Sequence, residues 1–196
     1  MSEAREAILG RLEAACAATG AAPTRVAHPA MPPDPEATLQ ARLELAGGHL
    51  QRATVNHWPT EIDWPLELAA VEHLYSSDAA LPARGIAAGA SHVHDLAPLE
   101  VCVLRAEFAV VENGAAWHIP RSPLERASAL LAEHLVILVD QHALVPTLHQ
   151  AYQRIDLRNA RFGWFLCGPS KTADIEQALV LGAHGPRTMS LVLVRS

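Results

Sequence analysis

The chain has 196 residues, half of them hydrophobic, and a formal net charge of −6 at neutral pH; this is enough apolar sequence to bury one core and short for two. The acidic balance, with a pI near 6.0, speaks against a nucleic-acid or anionic-membrane surface, because both need a concentrated basic face. No apolar run reaches the roughly 20 residues of a membrane span, and the first residues lack the basic and apolar regions of a signal peptide, so the expectation is a soluble, cytoplasmic protein.

Residues 2–18 place Ile8, Leu12 and Cys16 at helical spacing and stop near Gly20, which predicts an amphipathic helix. Residues 21–35 hold five prolines, the mark of a linker or extended arm. Asp34-Pro35 then sets an N-cap residue before a proline at the first helical position, opening a helix to about Ala46 that Gly47-Gly48 closes. The expected organisation is an N-terminal helix and proline-rich arm over 1–34 and an α/β domain over 35–196.

From His49 onward short apolar strands alternate with helical patterns. Strands are predicted at 49–55, 91–96, 101–104, 107–119, 135–139, 161–166 and 189–195, and helices at 65–73, 122–132, 142–153 and 173–181. That order predicts a three-layer α/β fold with a mostly parallel sheet and one hairpin. The hairpin runs from Glu107 to Ile119, with Asn113-Gly114 favouring a type I′ turn. Near the end, strands 162–167 and 191–194 read as parallel neighbours joined by a right-handed helical crossover.

The chemistry concentrates in that last unit. The run Phe162–Cys167 leads into Gly168-Pro169-Ser170-Lys171-Thr172 and then Ala173-Asp174-Ile175-Glu176, read as strand, loop and helix start. Ligands in open parallel sheets sit at the carboxyl ends of strands, and a helix N-terminus offers free N–H groups to an anion. Gly168, Ser170, Lys171 and Thr172 are therefore ligand-binding candidates for a carboxylate or phosphate, with Lys171 the only lysine among fifteen basic residues. Asp174 and Glu176 complement the dipole of the expected helix, and Asp174 is either a helix stabiliser or a ligand contact. The upstream glycine of a P-loop is missing, which speaks against nucleotide hydrolysis.

Further on, Gly182-Ala183-His184-Gly185-Pro186 sets an imidazole between glycines. His184 is a candidate acid, base or hydrogen-bond donor, or else holds the turn. A regular helix of about ten residues is roughly 15 Å long, which would keep the two motifs apart. Glu112 is either an exposed carboxylate on a surface hairpin or a nucleophile facing a pocket. His92-Val93-His94 puts two imidazoles on one face of the expected strand beside Asp95, without a third placed ligand, so no metal is assigned. Cys16, Cys102 and Cys167 are too far apart in sequence to form the Cys-x-x-Cys pairs that hold zinc or iron–sulfur clusters. No cofactor is assigned, and any redox centre is expected in a partner. Trp58 and Trp64 read as packing or interface residues, and Arg154, Arg158 and Arg161 as a solvated face or docking patch.

The blocks Gly168–Glu176 and Gly182–Pro186 resemble the LutC/YkgG-type lactate-utilization family, the LUD-domain proteins, whose signature is similar to Gly-Pro-Ser-(Arg/Lys)-Thr-Ala-Asp-Ile-Glu followed by Gly-x-His-Gly-Pro. An Ala-Glu-Thr-Gly turn of that family stands here as Val111-Glu112-Asn113-Gly114, keeping the Glu and the Gly. The resemblance runs from about Val101 to the C-terminus. It implies a fold resembling the NagB/RpiA/CoA-transferase-like group, and a role like that of the accessory subunit of an iron–sulfur lactate oxidation system, in which lactate becomes pyruvate. It also implies a small carboxylate or phosphate ligand and iron–sulfur redox partner subunits. Some CoA transferases carry a catalytic Glu in a Glu-Asn-Gly context. That likeness implies a second reading, a stand-alone enzyme acting on small carboxylates or acyl-CoA thioesters through Glu112. The site residues implied are Glu112 and His184 as catalytic candidates, with Gly114, Gly168, Ser170, Lys171, Thr172, Asp174 and Gly185 binding the ligand. A non-catalytic interaction module and homo-oligomer formation stay open.

Overall fold

The structure, a computed structural model, describes residues 3–17, 29–156, 162–175 and 178–195. In chain order the elements are α1 (Glu3–Ala17), α2 (Pro35–Leu45), β1 (His49–Thr54), α3 (Trp58–Glu61), β2 (Leu74–Ser76), β3 (Val101–Arg105), β4 (Phe108–Val110) and β5 (Ala115–His118). They continue with α4 (Pro123–Leu131), β6 (His134–Asp140), β7 (Leu144–Val145), α5 (Leu148–Arg154), β8 (Trp164–Leu166), β9 (Lys171–Ile175), β10 (Ala178–Leu181) and β11 (Thr188–Arg195). Five strands form an all-parallel central sheet in the order β1-β11-β6-β3-β2. A second sheet has the order β7-β4-β5-β8, and β9 pairs only with β10.

Side-chain alternation assigns the two faces of the central sheet. Cys102 and Leu104, Leu135, Ile137 and Val139, and Met189, Leu191 and Leu193 point to one side, where they meet Leu39 and Leu43 of α2, Ala129 and Ala132 next to and within α4, and Ala109 and Ala116 of the second sheet. Val101 and Val103, Val136 and Leu138, and Val192 and Val194 point to the other, under Trp58, Ile62 and Val71. Strands buried on both faces read as continuous apolar runs, and this is why 101–104, 135–139 and 189–195 were legible. The outer face of the second sheet packs Phe108, Val110, Trp117 and Val145 against Ala151 of α5. The result is a mixed α/β fold with a mostly parallel central sheet flanked by helices, as expected.

Local chemistry accounts for α2. The Asp34 side chain accepts from Ala37 N–H at 2.9 Å, Pro35 fills the first helical position, and Gly47 with φ 82° ends the helix. Leu39 and Leu43 are fully buried, each worth about 1.5–3 kcal/mol on transfer from water. In α1, by contrast, Ile8, Leu9 and Leu12 are exposed.

Several expectations change. Residues 65–73 form only a 3₁₀ turn at Leu68–Ala70, and 91–96 form a 3₁₀ turn at Val93–Leu96 rather than a strand. His92 and His94 therefore do not share a strand face; Asp95 instead accepts from the backbone N–H groups of Ser91 and His92. The largest change is at the end of the chain. The described residues of 173–181 form no helix but belong to the antiparallel strands β9 and β10. The flanking strands β8 and β11 lie in different sheets and are not parallel neighbours, so the predicted βαβ unit does not exist and the fold has a second hairpin. Glu176, Arg158 and Arg161 lie outside the described residues.

Candidate functional site

The Glu112 turn is a four-residue loop, since Val110 pairs with Ala115 and Gly114 N–H closes the turn on Val110 O at 2.9 Å. This replaces the expected two-residue type I′ turn. Gly114 has φ 76°, and a Cβ there would stand 3.0 Å from the backbone nitrogen of Leu43, so the turn fits against α2 only because the residue is glycine. Glu112 is exposed and reaches the start of α5: its Oε2 accepts from Leu148 N–H at 2.7 Å, and its own N–H donates to Pro146 O. Asn113 faces the last motif. Its side chain accepts from Ala115 N–H, and its carbonyl accepts from the Cys167 thiol at 3.2 Å.

Loop 167–171 packs on the end of α2. A Cβ on Gly168, whose φ is 67°, would stand 2.4 Å from Ala46 O, and one on Gly47 would stand 3.2 Å from Lys171 Nζ. The Lys171 ammonium thus lies at the carboxyl end of α2, where the helix dipole favours a cation. Thr172 pairs with Val180 across β9 and β10, and Asp174 is also in β9. Neither stands at a helix N-terminus, and the dipole argument for Asp174 falls with the helix.

The hairpin does what the expected helix could not. Ser170 N–H donates to Pro186 O at 2.8 Å, Gly182 N–H donates to Ser170 O at 3.0 Å, and a Cβ on Gly185 would lie 3.1 Å from Ser170 Cβ. The two sequence motifs are therefore one structural unit. His184 is exposed and lines a cleft of about 470 Å³ with Leu130, Leu131, Glu133, Gly182 and Arg187. The Arg187 N–H donates to Glu133 O, just before β6 begins, and Arg187 precedes β11 as Gly48 precedes β1. The motif cluster thus sits at the amino ends of the parallel strands, not at their carboxyl ends as expected from α/β sheets in general.

Electrostatically the cluster is mild. Burial pushes the Cys167 thiol up, and the nearby Lys171 ammonium partly offsets it. Cys167, Gly47 and Pro186 were not among the expected site residues; the thiol's position directly before Gly168-Pro169 was the one available signal. Among the described residues no group of three or more His, Cys, Asp or Glu side chains is arranged to hold a metal ion, and no helix is long and apolar enough to cross a membrane.

Comparison with known proteins matches this geometry to a family. The LUD domain pattern covers residues 76–194, more than half of the chain. "Lactate utilization protein C" of Geobacillus kaustophilus is 26% identical over 138 residues, which is 67% of this chain and 53% of that protein. The Bacillus subtilis protein of the same name is 27% identical over 113 residues, 54% of this chain and 47% of that one. The Escherichia coli protein YkgG is 28% identical over 107 residues, 51% of this chain and 46% of that protein. The chain spans about half the length of the curated relatives it matches. A crystal structure of a DUF162 family protein from Deinococcus radiodurans superposes with a TM-score of 0.62 at 16% identity, covering 82% of this chain and 96% of that one, and so shares the fold. The two motifs joined through Ser170 and the family match over 76–194 place this chain in the LUD domain family.

Proposed function

We propose that this chain acts in lactate utilization as a LUD-domain subunit that binds a small carboxylate or phosphate and works beside iron–sulfur partner proteins. The observation that carries this reading is the junction of Ser170 with Gly182, Gly185 and Pro186 next to Lys171 and the end of α2. The Lys171 ammonium beside this junction, with Arg187 and an exposed His184 on the adjoining cleft, supplies the charge and donors that a small anion takes. Relatives named for lactate utilization supply the metabolic context. The cysteine spacing in this sequence offers no cluster ligand set, which is consistent with any iron–sulfur centre of the system lying in a partner chain. The bond from Leu148 N–H to Glu112 supports a bracing role for that carboxylate and lends nothing to acyl transfer by the isolated chain.

The test is calorimetric titration of the protein with lactate, pyruvate and inorganic phosphate, together with lactate oxidation assayed with and without the partner proteins. Binding that weakens in Lys171→Ala, and oxidation that needs this chain and its partners together, is the expected result. Absence of any anion binding, or lactate turnover by the partners that is indifferent to this chain, overturns it.

A further inference from the structure

His118 and Glu125 face each other in the interior, with side chains only 2% and 1% exposed and Nε2 3.9 Å from Oε1. Among the described residues neither of these two atoms has a hydrogen-bond partner. The other half of each group is committed. His118 Nδ1 lies 2.9 Å from Arg105 O, and a carbonyl only accepts, so Nδ1 carries a proton. Glu125 Oε2 accepts from Arg121 N–H at 2.6 Å, a bond that favours the ionised carboxylate. With Nδ1 protonated, a neutral imidazole would turn its Nε2 lone pair toward a carboxylate oxygen. Two acceptors would then oppose each other away from water, an arrangement that costs free energy on both sides. A proton on Nε2 turns that repulsion into a charge-assisted hydrogen bond, reached by a displacement of about 1 Å.

We propose that His118 and Glu125 hold one proton between Nε2 and Oε1 and form a latch that fastens α4 to the β4–β5 hairpin. The titratable and charged neighbours are Tyr75 from β2, Cys102 from β3, Arg121 before α4, and Arg105 at the end of β3, whose guanidinium is already paired with Asp78. Tyr75 and Cys102 stay neutral: burial, and then the Glu125 charge, pushes the phenol up to about 12 and the thiol well up. Neither supplies a competing anion, and Arg121 already serves Glu125 through its backbone. The latch has a reach beyond the pair. The end of α4 and the residues after it, Leu130 to Glu133, form one wall of the His184 cleft, so the latch anchors the helix that carries that wall.

Glu125→Gln removes the device while keeping the shape, because a carboxamide N–H donates to a neutral Nε2 and its oxygen still accepts from Arg121. The expected result is a His118 Nε2 that carries a proton in the wild type and none in Glu125→Gln. Nitrogen-15 spectra of histidine-labelled wild-type protein should show both ring nitrogens of His118 protonated at a pH where exposed histidines have lost one proton. The same protonation of Nε2 in both proteins, or an unprotonated Nε2 of His118 in the wild type under those conditions, overturns the proposal. The spectrum decides the matter even if the variant does not fold.

Discussion

The Ser170 N–H donates to the Pro186 carbonyl at 2.8 Å. This bond joins two sequence motifs into one structural unit, and it limits what the chain between them can be. A segment whose ends are tied together must turn back on itself, and a straight helix of about ten residues would hold them roughly 15 Å apart.

The close packing of this junction is testable at its glycines. Gly168 combines a φ of 67° with a Cβ position 2.4 Å from Ala46 O, so Gly168→Ala should cost about 2–4 kcal/mol from backbone strain and overpacking. Gly185→Val should cost about 1–3 kcal/mol by pressing on Ser170. Gly10 in α1 has nothing within 4 Å of its Cβ position, so Gly10→Ala should be neutral or raise helix content. Urea unfolding monitored by tryptophan fluorescence and by circular dichroism measures all three; equal stability of Gly168→Ala and wild type would refute the packing.

Asp78 governs part of the acid limb of stability. Burial raises its carboxyl, but bonds from Ala80 N–H, Arg105 and the Trp58 indole outweigh this and hold it below its ordinary value of 3.8. Its contribution is therefore fully present above that value and is lost as pH falls through the lower folded one. Asp78→Asn should flatten the dependence of Tm on pH in that window. It should also lower stability at neutral pH by about 1.5–3 kcal/mol, the worth of a charge-assisted hydrogen bond. A variant whose Tm tracks the wild type down the whole acid limb contradicts this assignment.

Which parts of the molecule were legible in its sequence depends on the range of the forces involved. The cap at Asp34-Pro35 and the end of α2 at Gly47-Gly48 are settled within a few residues, and both stand where read. The buried runs of β3, β6 and β11 declare themselves because both faces of each strand are apolar. The segment after Thr172 misled because Ala, Ile, Glu, Gln and Leu favour a helix locally, while pairing at a distance, Lys171 with Leu181 and Ser170 with Pro186, decides the outcome. Strands β2 and β7, with three and two residues, are too short to show a period. In the candidate site, the residue types were readable and their meeting was not. Cys167 next to Asn113, and Lys171 at the end of α2, depend on contacts across elements that no local pattern reports.

The thiols should report on this arrangement. Burial pushes Cys167 up, only partly countered by Lys171, and pushes Cys102 up much further. Since the thiolate is the nucleophile, Cys167 should alkylate with iodoacetamide more slowly at neutral pH than a thiol in an unstructured peptide, and Lys171→Gln should slow it again. Cys102 should remain unlabelled until the protein unfolds. Peptide-resolved mass spectrometry follows each site separately, and faster labelling of Cys167 in Lys171→Gln would show that the ammonium does not act on the thiol.

The helix-end placement of Lys171 and its proposed anion contact are separable, and one pair of substitutions distinguishes them. Its ammonium lies against Gly47 at the carboxyl end of α2, a placement worth about 0.3–1 kcal/mol to the helix. Lys171→Arg keeps that charge, so it should retain stability, whereas Lys171→Ala should lose this modest amount. If Lys171 also gives the bound anion one charge-assisted hydrogen bond, worth about 1.5–3 kcal/mol, Lys171→Ala should weaken phosphate or pyruvate binding roughly ten- to a hundred-fold. The stability change alone is too small to account for such a loss, because a folded protein short by less than 1 kcal/mol still populates its native state almost completely. Calorimetric titration beside thermal unfolding of the same samples makes the comparison. Binding that is unchanged in Lys171→Ala, with the small stability loss present, would leave Lys171 a helix-end cation and move the anion away from this loop.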